Sequence, residues 1–208
     1  VRASTFKLLL ETAMELIQQE GHVPSIAQVA VRCNVSRATA YRYFPSRSAL
    51  ITSMVDASLG PVRNAPPGED ARDARERVHA IFQSTFPRFQ RFEPQLRAAL
   101  QLALEQWALQ RAGLLEEEPY RRGHRVGILA TALAPLKGEL SPAARDRLHR
   151  ALSVLYGIEA YTILKDMWGM GEKEMERTVL WMADALIDAS LREASPSSPR
   201  RRAARGPR

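Results

Sequence analysis

Apolar residues recur along this chain at spacings of three and four, and no stretch alternates over the length of a strand, which predicts an all-α protein. Leu9, Ala13, Leu16 and Ile17 make the buried stripe of a first helix, opened by Ser4 or Thr5 and ended by Gly21. Ile26, Val29 and Ala30 give a second, short helix one apolar face, and Ala40 and Phe44 do the same for a third. Pro45-Ser46 starts a fourth helix, with Leu50, Met54 and Val55 inward and Pro61 as its stop. The run PVRNAPPG, residues 61–68, reads as a joint between domains. Beyond it Glu69-Asp70 and Asp73 suit the start of a helix carrying Ile81, Phe82, Phe86 and Phe89, kinked near Pro87. Glu93-Pro94 starts the next, with Leu96, Leu100, Leu104 and Trp107. A short helix from about Tyr120 ends near Pro135. Ser141-Pro142, a cap with proline at the first helical position, opens a long helix through Leu148, Leu152, Leu155, Tyr156, Ile163 and Met167, closed by Trp168-Gly169-Met170-Gly171. The last helix, Glu172 to Glu193, is apolar on two sides: Met175, Val179, Met182, Leu186 and Ala189 on one, Leu180, Ile187 and Leu191 on the other. Such a helix is buried on two sides, one against its own domain and the other available to a second subunit. The expected division is a head at residues 1–60, a helical body at 61–193 and a disordered basic tail at 194–208.

The segment from Ser25 to Phe44 has the punctuation of a helix-turn-helix. Ser25 and Gln28 form the S-x-x-Q pattern of a capping box, and Ser36 caps the following helix. Asn34 sits in the turn, where a left-handed backbone is needed and Asn tolerates it. With Ala40 and Phe44 turned inward, Arg37, Ala38, Thr39 and Tyr41 are left facing outward near the start of the second helix. That is the end that enters a major groove in this motif.

Charge strengthens the picture. No acidic residue lies between Glu20 and Asp56, while Arg32, Arg37, Arg42 and Arg47 do. Arginine suits bidentate contact with phosphate or guanine, and Tyr41 and Tyr43 add phosphate donors beside Arg42. The whole chain, 208 residues at +7, concentrates its excess at the two ends: residues 61–193 carry as many acids as bases, and the tail carries five arginines and no acid. A neutral body argues against coating nucleic acid over the whole surface. The single cysteine, Cys33, excludes an internal disulfide and fits a reducing cytoplasm as a small filler in the turn. No apolar run approaches the roughly 18 residues of a membrane span. No signal peptide is visible, and the start at Val1 leaves the native N-terminus open.

Leu9 to Leu50 resembles the DNA-binding domain of the tetracycline-repressor (TetR) family of bacterial regulators. The resemblance is carried by Leu9, Ala13, Leu16 and Gly21, by Ile26, Val29-Ala30 and Val35-Ser36, and most specifically by the run Thr39-Ala40-Tyr41-Arg42-Tyr43-Phe44-Pro45-Ser46-Arg47. Three positions depart from the family pattern: Asn34 for Gly in the turn, Ala40 for a branched residue, and Arg47 for Lys at the start of helix four. The resemblance implies a homodimer reading a palindromic double-stranded operator from two heads, released by a small-molecule effector bound in the C-terminal domain. The DNA-facing set is then Ser25, Ser36, Arg37, Ala38, Thr39, Tyr41, Arg42, Tyr43 and Arg47. Within it Arg37 and Thr39 are candidates for base edges, Ala38 for a thymine methyl, and Tyr41, Tyr43, Arg47 and the Ser25 helix end for phosphates. The N-terminus of helix four, with Arg47 in its first turn, is a natural phosphate seat. Phe82, Phe86, Phe89, Phe92 and Trp107 are candidates for the effector cavity. Leu152, Leu155, Tyr156, Val179, Met182 and Leu186 are candidates for the dimer interface.

Two rival readings stay in view. Glu76-x-x-His79 and Asp146-x-x-His149 have the carboxylate–imidazole spacing of helical di-metal proteins, although both sit among arginines. The other rival is a TetR-like adaptor that has lost DNA binding. No Gly-rich phosphate loop or catalytic triad pattern stands out, so the expectation is a regulator with no enzymatic activity, metal or cofactor.

Overall fold

The computed structural model describes residues 2–64, 73–121 and 123–194, and these form helices and connecting turns with no strand among them. The basic tail from residue 195 onward, residues 65–68 of the proposed joint and Glu69-Asp70 lie outside the described residues. In chain order the helices are α1 (Arg2–Glu20), α2 (Ile26–Arg32), α3 (Arg37–Tyr43), α4 (Arg47–Asn64), α5 (Ala74–Arg91), α6 (Glu93–Arg111), α7 (His124–Ala132), α8 (Pro142–Leu155), α9 (Ile158–Thr162) and α10 (Glu172–Ala194). A 3₁₀ turn (Ala134–Gly138) precedes α8, and a π turn (Ile163–Met167) follows α9.

The head is built from local chemistry. Ser25 Oγ accepts the Gln28 amide at 3.2 Å, and Gln28 Oε1 accepts the Ser25 amide at 2.7 Å, a complete capping box. Asn34 has φ +54°, and the Val35 amide reaches back to the Ala30 carbonyl at 3.0 Å to close the end of α2. Ser36 Oγ then accepts the Thr39 amide at the start of α3. Ala40 and Phe44 are buried, so α3 is held from behind by the stripe of α1: Leu9, Ala13, Leu16 and Ile17.

One apolar core runs from this stripe through Leu50, Ile51 and Met54 of α4 to Val78, Phe82 and Phe89 of α5 and on to Leu148 of α8 and Val179 of α10. Head and body therefore share a core, with α4 as the common wall. Gln95 of α6 adds a polar tie by donating to the Met14 carbonyl of α1 at 3.0 Å.

Four predicted boundaries move. α1 already includes Arg2, ahead of Ser4 and Thr5. Pro61 does not stop α4, which continues to Asn64. Proline deletes one backbone bond, and burial of Val62 against the core outweighs that loss. α7 ends at Ala132, just ahead of Pro135 as expected, but begins at His124 rather than near Tyr120. The long helix predicted after Ser141 is interrupted at Tyr156-Gly157, where the backbone extends before α9 begins. The cause is a close crossing. A Cβ on Gly157 would meet the Arg125 guanidinium and Glu159 Oε2, so a larger residue there would make the ends of these two side chains shift.

The predicted dimer residues divide. Leu152 and Val179 are fully buried inside the protomer and Tyr156 is 7% exposed, because α8 and α10 pack on each other and α10 packs on α5. These three cannot form an outer surface. Leu155, Met182 and Leu186 are half-buried at its edge, and the outward apolar side chains are Val154 and Trp181, 68% and 69% exposed.

Candidate nucleic-acid interface and the cavity behind it

The two capped helices α2 and α3 present one surface of the head. Arg37, Ala38, Tyr41 and Arg42 are exposed on it, and Arg32 stands at the end of α2. Thr39 is half-buried, its hydroxyl 2.9 Å from Ser36 Oγ, so it strengthens the cap as well as facing the surface. Tyr43 is half-buried beside Phe6, ring centres 6.4 Å apart, and the Arg42 guanidinium lies 5.4 Å from the Tyr43 ring centre. The Ser25 and Ser36 hydroxyls are occupied as caps. As caps they accept amides, so a duplex would meet a fixed helix end at which the Ser25 hydroxyl hydrogen can still be donated.

Arg47 departs from its expected role. Its guanidinium is held by two carboxylates of the body: Nη2 to Glu105 Oε1 at 2.9 Å and Nε to Glu117 Oε1 at 3.3 Å. The hydrogen bond to Glu105 is the main reason its pKa is raised, against the opposing effect of burial. Glu117 Oε2 also accepts the Arg47 backbone amide at 2.9 Å. The seat at the start of α4 that was assigned to a phosphate is thus filled by a carboxylate of the same chain, which satisfies the same amide and the same end of the helix dipole.

This clamp continues inward. Gln106, 2% exposed, donates from Nε2 to Ser48 Oγ (2.8 Å) and to Glu117 Oε1 (2.9 Å), and its Oε1 accepts the Tyr120 amide (2.7 Å). Tyr120 lines a cavity bounded by Val55 and Leu59 of α4, Phe89 of α5, and Leu96, Ala99 and Leu100 of α6. The far wall is Arg125 and Ile128 of α7 together with Tyr156, Gly157, Ile158 and Glu159. The cavity holds about 90 Å³ for the centres of water-sized spheres, where a single water needs roughly 10–15 Å³, so there is room for a small organic molecule. Its polar feature is the Arg125–Glu159 pair, Nη2 to Oε1 at 2.6 Å, with Arg125 Nη1 also donating to the Ser153 carbonyl at 2.9 Å.

Of the predicted cavity residues only Phe89 lines this space. Phe82 and Phe86 belong to an aromatic core cluster with Tyr156 and Tyr161: Phe82–Tyr156 ring centres are 5.1 Å apart and Phe86–Tyr161 6.4 Å. Phe92 is half-buried under the guanidinium groups of Arg88 and Arg91. Trp107 is 64% exposed on α6. The periodicity marked an apolar face correctly but could not say which part of that face meets a void. The missed wall comes from the interruption at Gly157, which turns Ile158 and Glu159 toward α7.

The two carboxylate–histidine motifs do not converge. His79 Nε2 lies 2.8 Å from Asp184 of α10, beside the Arg75–Asp184 bridge, and His149 Nε2 lies 2.9 Å from the Val126 carbonyl. No group of three His, Cys, Asp or Glu side chains suited to a metal gathers among the described residues. No described helix is long and apolar enough to cross a membrane.

A capped helix-turn-helix braced by a third helix, with an arginine-bearing outer face and a helical body behind it, defines the class of helix-turn-helix proteins. Residues 9–54 match the family model of the bacterial regulatory proteins, tetR family. The chain is also similar to a protein described as an uncharacterized HTH-type transcriptional regulator, YuxN of Bacillus subtilis (strain 168), at 41% identity over 51 residues. That match takes in 24% of this chain and 18% of the relative, so the chain matches less than a fifth of that protein's length. The likeness is thus to the N-terminal, DNA-binding domain of the TetR family and is confined to residues 9–54.

Proposed function

We propose that this protein is a sequence-specific DNA-binding transcriptional regulator, a cytoplasmic homodimer that represses from a palindromic operator and is released by a small molecule. The observation that carries the reading is the exposed face of α3, with Arg37, Tyr41 and Arg42 outward on a helix capped at Ser36. The absence of any acid between Glu20 and Asp56 supports it, since nothing in that segment repels a phosphate. Arg37 and Thr39 are assigned to base edges, Ala38 to a thymine methyl, and Tyr41, Arg42 and Tyr43 to phosphates. A second head at matching pitch comes from dimerisation through the outer face of α8 and α10, where Val154 and Trp181 stand exposed beside Leu155, Met182 and Leu186. The cavity behind α4 is assigned to the effector, which acts by binding the two dispositions of the heads with unequal affinity.

The test is a fluorescence-anisotropy titration of the protein on the DNA upstream of its own gene and on random DNA. Operator binding should exceed random binding by about a thousandfold or more. Arg37→Ala should cost roughly 1–3 kcal/mol on the operator and relax the preference at one base position. Equal losses on both DNAs would remove Arg37 from base reading. Equal affinity of the wild type for both would favour the adaptor.

A further inference from the structure

The wall of the cavity carries information about what it admits. Its surface is mainly hydrocarbon, from Leu59, Leu96, Leu100 and Ile128, with the charged pair Arg125–Glu159 set into it. The two charges are 2.6 Å apart and cancel. Their side chains are only 25% and 31% exposed, so neither is well solvated. They lie directly over Gly157, where a larger residue would make both side-chain ends shift. An anionic guest would have to leave water, and would find the Arg125 guanidinium already held by Glu159 and by the Ser153 carbonyl. Freeing one wall charge to meet the guest strands the other in a half-buried site, a cost that exceeds most single pairings. An uncharged guest leaves the pair intact and gains from burying hydrocarbon.

We propose that this cavity admits an uncharged, largely hydrocarbon small molecule and rejects anionic analogues because Glu159 and the Ser153 carbonyl already hold Arg125, the cation in its wall. The proposal rests on reading the cavity as the effector site, and its test does not require DNA. The probes are two dyes with one skeleton: N-phenyl-1-naphthylamine, which is neutral, and 1-anilinonaphthalene-8-sulfonate, the same rings with an anionic group. Saturable fluorescence enhancement, corrected for the signal left in the cavity-filling variant Ala99→Phe, gives an affinity for each. The neutral dye should bind about tenfold or more tightly than the anion.

Glu159→Gln leaves the Arg125 cation uncompensated and should move the ratio toward the anion by about tenfold. Arg125→Met should move it the other way. The ratio is read on one preparation, so a general loosening, which shifts both dyes together, does not imitate the effect. If either single variant does not fold, Arg125→Met with Glu159→Leu replaces the pair by hydrocarbon and should keep the neutral preference. Equal or tighter binding of the anion by the wild type overturns the proposal. So does a ratio that Glu159→Gln leaves unchanged, or no saturable binding of the neutral dye. A parallel operator titration separates these failures from a failure of the regulator reading: dye selectivity without DNA binding refutes only the latter.

Discussion

The clamp on Arg47 makes a quantitative prediction about DNA affinity. In this structure the side chain nearest the start of α4 is bound to Glu105 and Glu117, not free for a phosphate. The perturbation is the double replacement Glu105→Gln and Glu117→Gln. A glutamine at 117 still offers an oxygen to the Arg47 amide, so the start of α4 keeps its cap while the charge is lost. The Arg47 side chain is 29% exposed and its partners 44% and 21%, which places the cluster near the surface end of the range. After discounting for solvent, the two bridges together hold the guanidinium by about 1–2 kcal/mol. Releasing it for a phosphate should tighten operator and random DNA alike by roughly 5–30-fold. One added phosphate contact should steepen the dependence of log K on log salt by about 0.9. Anisotropy titrations across a salt series read both quantities. The Arg47→Ala background is the control, because two carboxylates near a duplex also repel it. If the glutamines tighten binding equally without Arg47, or if neither affinity nor slope moves, the clamp does not compete with DNA. The same cluster reaches the cavity through Gln106 and the Tyr120 amide. A guest that displaces Tyr120 therefore acts on the hydrogen bonds that hold Arg47.

Three further outcomes follow from single sites. Asn34→Gly should be nearly neutral and Asn34→Val should cost about 1–2 kcal/mol in urea unfolding, because φ is +54° there; equal stabilities would mean that the turn relaxes. Trp181→Glu puts a charge on the exposed side of α10 and should weaken dimerisation by about a hundredfold in sedimentation, roughly 3 kcal/mol, while an unchanged dimer would place the interface elsewhere. For Glu93, burial pushes the carboxyl up, but hydrogen bonds from Lys165 and Arg97 outweigh it and hold the pKa below its ordinary 4.5. The sign is then fixed: its stabilisation is full above the ordinary value and is lost as pH falls through the lower folded value. Between about pH 6 and pH 3 the wild type should lose more stability than Glu93→Gln, and parallel losses would discount the cluster.

What the sequence made legible was chemistry that acts within a few residues. The Ser25–Gln28 box, the Asn34 turn, the Ser36 cap and the inward Ala40 each depend on neighbours three or four positions away, and all four were readable. The partners of Arg47 were not legible because they lie 58 and 70 residues further on, at positions where Glu105 and Glu117 look like ordinary solvated acids. Leu152 and Val179 show the other limit. A 3.6-residue period marks a side as apolar but not which body covers it, and α5 covers what was assigned to a second subunit. Pro61 was over-weighted as a stop, since a lost backbone bond is a local cost that tertiary burial can exceed. Gly157 was passed over inside an apolar pattern, although it was the visible sign of the break. Its meaning depends on Arg125, 32 positions earlier, crossing above it. The head is thus specified largely by short-range signals, whereas the cavity and the clamp are made where helices distant in the chain meet. The geometry of the candidate DNA-facing helices was accordingly open to inspection in the sequence, and that of the cavity and the clamp was not.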